Sequence, residues 1–104
     1  MSLNPDQLRR TREELRANLE RTGLADAEVL SDLQWSRERL DAALHSTGPA
    51  DPVDVWELRD YLETAVWDAG GTPVPFSTLT SANRIRARLW FRLRRAPRHD
   101  FSGR

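Results

Sequence analysis

Apolar residues recur at three- and four-residue spacing through most of the chain, the period of amphipathic helices. Leu8, Thr11, Leu15, Leu19 and Thr22 form one mostly apolar stripe behind the start Asn4-Pro5-Asp6-Gln7. There Asn4 can cap, Pro5 suits the first helical position and Gln7 stands where a capping box needs it. Arg9, Arg12, Glu13, Arg16 and Glu20 fall on the water side, and Gly23 ends this helix in a left-handed conformation. A second helix is expected over about 26–33, capped by Asp26, with Val29, Leu30 and Leu33 inward. Gln34-Trp35 turns the chain, and Ser36 caps a third helix over about 37–45. Trp35 before that cap and Leu40 four residues after it have the spacing of a hydrophobic staple. Leu40, Ala43 and Leu44 continue the inward face.

Residues 46–52, STGPADP, lead into a fourth helix that begins at Asp51-Pro52 or at Val53-Asp54. In the second case Asp54 caps, Val53 staples onto Leu58 and Glu57 completes a capping box. Val55, Leu58, Leu62, Ala65, Val66 and Ala69 make its broad apolar face, which Trp56, Tyr61 and Trp67 widen or leave partly exposed. Gly70-Gly71 stops it. Pro73 and Pro75 exclude a regular helix over 72–80, so Val74, Phe76 and Leu79 are expected to cross the core as an extended strap. Thr80 or Ser81 caps a last helix over about 82–95. Ile85, Leu89 and Leu93 lie on one of its faces, with Trp90 and Phe91 beside it. Pro97 closes this helix, and 98–104 is expected to fray. The pattern predicts a single all-α domain over 1–104. It is a compact five-helix, phage-repressor-like helix-turn-helix bundle with an irregular proline-containing segment before the last helix.

The unit at about 24–45 resembles a helix-turn-helix, with Leu30 in place of the usual small residue and Gln34 in place of the usual turn glycine. With Gln34 there, the turn can avoid a left-handed conformation. The outer face of the third helix would be Ser36, Arg37, Glu38, Asp41, Ala42 and His45, the candidate contacts to double-stranded DNA. The N-terminal amides and Ser36 can meet phosphate, Arg37 a guanine edge or phosphate, and Ala42 a thymine methyl. Glu38 and Asp41 oppose the field of the DNA backbone, although an acid can accept from cytosine N4.

Charge sharpens this question. Residues 1–83 hold 8 arginines and 15 acids, −7, whereas 84–104 hold 8 arginines and one acid, +7. Phosphate neutralisation supplies much of the affinity for DNA, so an acidic body counts against it. Arg84, Arg88, Arg92 and Arg95 are the candidate phosphate contacts that would restore it if the last helix lies beside the third. The alternative is a non-enzymatic protein-interaction or structural module that keeps the helix-turn-helix scaffold without DNA. Trp67, Trp90 and Phe91 are the interface candidates for a homodimer or another protein partner.

Other chemistry is poorly represented. The chain has no cysteine and only two histidines, His45 and His99. This gives no thiol chemistry, no metal-ligand spacing and no expected cofactor. Gly70-Gly71 lacks the strand before it and the lysine after it that a phosphate loop requires. Asp54, Glu57, Tyr61 and Asp68 are expected as helix-surface or cap residues. We therefore expect no enzyme activity and no small-molecule substrate. The lack of a long apolar run predicts no membrane partner, and the lack of cysteine is compatible with the cytoplasm.

The strings GLADAEVLSDLQWSRERLDAAL, DPVDVWELRDYLETAV and GGTPVPFSTLT resemble a small bacterial family, domain of unknown function 2316, over about residues 3–93. Residues 51–62 and Gly71-Thr72-Pro73-Val74-Pro75-Phe76 are its most specific parts. The resemblance implies a repressor-like helix-turn-helix domain, and neither a cofactor nor catalytic residues.

Overall fold

The structure, a computed structural model, describes residues 4–45, 51–90 and 92–102, with Trp90 described by its backbone only. Five helices and no strand occur among these residues: α1 Pro5–Thr22, α2 Asp26–Leu33, α3 Arg37–His45, α4 Pro52–Asp68 and α5 Ser81–Trp90.

Local chemistry sets most boundaries. The Asn4 side chain accepts from Gln7 N at 2.8 Å, and Gln7 Oε1 accepts from Asn4 N at 3.1 Å, so α1 starts on a full capping box. Gly23 ends it at φ 69°. Ala25, not Asp26, holds the cap position of α2; its N–H donates to Glu28 Oε1 at 3.1 Å. Gln34 does not avoid the left-handed region: it sits at φ 59°, ψ 44° and closes α2 as a glycine would. Ser36 Oγ accepts from Arg39 N at 3.2 Å and starts α3. Asp51 caps α4 by accepting from Val53 N at 2.9 Å. This excludes the alternative start at Val53-Asp54 and places Asp54 inside the helix. The linker residues 46–50 lie outside the described residues.

The core joins one face of every helix. Leu15, Leu19, Val29, Leu33, Trp35, Leu40, Leu44, Trp56, Leu58, Tyr61 and Leu62 are all buried in one cluster with Phe76 and Leu79 of the strap. Both ends of the proposed staple, Trp35 and Leu40, belong to it. Ala69, expected inward, is exposed at the end of α4. Asn18 was not expected in the core, yet it is fully buried. Its Nδ2 donates to Val74 O at 3.0 Å and its Oδ1 accepts from Val74 N at 2.8 Å, which fastens the strap to α1. Arg21 and Glu14 add a bond to Thr72 O at 2.6 Å and one from Ser77 N at 3.0 Å.

The C-terminal segment departs most from expectation. Helix α5 ends at Trp90, and residues 92–102 run on without helix. Ile85 and Leu89 share a face, as their spacing predicts, but that face points to solvent, leaving them 66% and 81% exposed. Ala87 and the partly buried Asn83 and Arg84 take the inner side. The described part of the tail folds back rather than fraying. His99 Nδ1 lies 2.6 Å from Asp32 of α2, and its ring stacks edge-on with Phe101.

Candidate nucleic-acid interface

The face of α3 turned from the core carries Glu38, Asp41, Ala42 and His45. Leu40, Ala43 and Leu44 are buried, so the helical period puts these four opposite them. Arg37 and Arg39 lie on the two flanks. Arg37 reaches back to α2, its Nη1 donating to Asp26 Oδ2 at 2.7 Å. That hydrogen bond holds the Arg37 guanidinium above its ordinary pKa. Arg39 reaches to α4, where it gives Asp54 two bonds of 2.8 Å and lies over the Trp35 ring at 4.7 Å. The middle of the outward face is therefore acidic, and both adjoining arginines have carboxylate partners.

Asp54 is also where the C-terminal arginines meet α3. Arg94 donates to the same carboxylate and, through Nε, to Glu57 at 2.7 Å. These hydrogen bonds, Arg39's first, hold the Asp54 carboxyl below the usual aspartate pKa against the opposing effect of burial. Farther along α4, Arg84 gives Asp60 a bond of 2.8 Å and a second, shorter one, and it lies over Trp56 at 5.0 Å. Arg98 pairs with Asp68 at 2.7 Å. Asp54, Glu57 and Asp60 recur every third residue, so one side of α4 forms an acidic row onto which the basic segment folds. The row was present in the sequence as a spacing, but Asp54 and Glu57 read there as helix-surface or cap residues. Asp54, Glu57 and Tyr61 are in fact buried. Tyr61 donates to Asp32 at 2.5 Å, and burial foremost, then this bond, push its phenol pKa well above the ordinary value.

What remains unpaired is narrower than the sequence count suggests. Arg88, Arg92 and Arg95 make no ion pair among the described residues and are exposed. With Arg84, Arg94 and Arg98 they line an open groove of about 770 Å³, whose other walls are Asp60, Thr64, Leu93 and Ala96. The groove thus contains all four predicted phosphate-contact arginines. Through Arg94 and Asp54 its rim reaches the Arg39 flank of α3, while Arg37 lies on the other flank. Ser36 is spent on the cap. Of the interface candidates, Trp67 is 58% exposed; Phe91 and the Trp90 side chain lie outside the described residues. Among those residues no cluster of histidine and acidic side chains could hold a metal, and no helix is long and apolar enough to cross a membrane.

Comparison with curated proteins and with solved structures gives no match. A family model described as "Uncharacterized protein conserved in bacteria (DUF2316)" matches residues 1–92. The match takes in all five helices and the strap, and the chain belongs to this family of uncharacterized bacterial proteins.

Proposed function

We propose that the protein is a non-enzymatic DNA-binding module of the helix-turn-helix type, with α2 and α3 as the motif and a transcription-regulator-like role. The observation that carries this reading is the junction at Asp54. There Arg39 of α3 and Arg94 of the basic segment share one carboxylate, so an arginine-lined groove begins at the flank of the helix that would enter DNA. Arg88, Arg92 and Arg95 supply phosphate contacts, and Ser36, Arg37, Glu38, Asp41, Ala42 and His45 form the reading face. Two copies would double a modest surface, with Trp67 as a seam residue.

Titration with randomised duplexes across a salt series tests this. Each phosphate contact removed by Arg88→Ala or Arg92→Ala should lower the salt slope by about one. Glu38→Gln with Asp41→Asn should tighten binding by removing repulsion. Absence of binding at low salt overturns the reading.

The acidic centre of the α3 face and the Arg37–Asp26 pair favour a second reading, a protein-interaction module on the same scaffold. Under that reading duplexes do not bind, and Glu38 and Asp41 contribute to a partner's affinity.

A further inference from the structure

We propose that α5 and the arginine groove beside it form a peripheral docking site for an anionic phospholipid surface. Two independent observations meet there. The first is the orientation of α5. Ala87 is 1% exposed and marks the side against the core. Ile85 and Leu89, two positions to either side of it, point about 200° away by helical period and are the most exposed large apolar residues among those described. They stand one turn apart and form a continuous row. Arg86 and Arg88 flank the row on its two sides and are exposed.

The second observation is the unpaired charge. Arg88 belongs both to the flank of the row and to the groove, where Arg92 and Arg95 are also without a carboxylate partner among the described residues. An apolar row bordered on both sides by arginine, with more arginine set alongside, fits a surface whose phosphates overlie acyl chains. Charge selects this occupant over a second copy of α5. Two such rows packed together would oppose Arg86 and Arg88 with their own counterparts. Insertion here is in the plane of the interface and needs no membrane-crossing helix. The inference does not rest on the DNA reading, because Ile85 and Leu89 have no part in that reading.

The test is co-sedimentation with equimolar phosphatidylglycerol–phosphatidylcholine vesicles and with pure phosphatidylcholine vesicles, alongside duplex titration and light scattering of the same samples. Binding to the anionic vesicles alone is expected, weakened by salt. Ile85→Ser with Leu89→Ser should reduce it at least about tenfold, since each apolar side chain buried is worth more than that factor, while duplex binding and the melting curve stay unchanged. Both residues are exposed, so the variant keeps the fold. Arg88→Ala with Arg92→Ala should weaken vesicle binding and flatten its salt dependence. No anionic-vesicle binding, equal binding by the serine variant, or a dimer that the serine variant abolishes would each overturn the proposal. If the parent protein binds duplexes but no anionic vesicles, the proposal alone is overturned and the DNA reading stands.

Discussion

Asp54 holds a carboxylate with a side-chain exposure of 10%, and two guanidinium groups neutralise it. Its pKa is lowered in the folded chain, so as pH falls the unfolded chain takes up a proton first. The stabilisation is complete above about pH 4 and is lost as pH drops from there through the folded pKa. Asp54→Asn should lower stability at neutral pH and make the acid limb of a urea-denaturation series shallower. An unchanged acid limb would show that the carboxylate is not the group responsible. Asp54→Ala should cost about 2 kcal/mol, less than a fully buried pair, because Arg39 and Arg94 each stay roughly 40% exposed. The chemical type of this residue was plain in the sequence, but its partners were not, since Arg39 and Arg94 are 15 and 40 positions away.

At the scale of elements, Gln34 shows where local reading reaches its limit. Its place between α2 and α3 was legible, and its left-handed backbone was not, because a glutamine there is uncommon. The conformation is imposed by α2 and α3 packing on one core while joined by only Gln34, Trp35 and Ser36. Gln34→Gly should relieve this and raise stability by about 0.5–1 kcal/mol; a fall in Tm would refute the idea. Asn18 makes the complementary point. Three residues after Leu15 and four before Thr22, it sits on the inward stripe of α1, but its polarity hid it. Asn18→Leu should cost about 2–3 kcal/mol by stripping Val74 of two hydrogen-bond partners. Limited proteolysis between 72 and 80 should then quicken; a variant as resistant as the parent would count against the clamp.

Across the whole molecule, the separation of −7 from +7 along the chain becomes an intramolecular seam. Asp54, Glu57, Asp60 and Asp68 on α4 take up Arg84, Arg94 and Arg98, and Asp32 takes up His99. Most pairs along this seam are partly exposed, and salt screens such pairs. High salt should therefore loosen the tail, and so should His99→Ala, each seen as faster hydrogen exchange over 92–102 with little change in α1. Uniform loosening of the whole bundle would contradict a locally held tail. The same seam divides the C-terminal arginines by availability, leaving Arg86, Arg88, Arg92 and Arg95 for a partner.

The sequence by itself determined five helices, the bounds of α1, α2 and α3, the strap and most of the core. Each of these follows from spacing, caps and glycine or proline within a few residues. Which way α5 faces was decided only in the tertiary structure. Arg84 found an aromatic ring on α4 and a carboxylate one turn beyond it, and that docking turned Ile85 and Leu89 to solvent. The acidic centre of the α3 face could be read along the chain; the neutralisation of its flanking arginines could not, because Asp26 and Asp54 reach them only through the packing of α2 and α4.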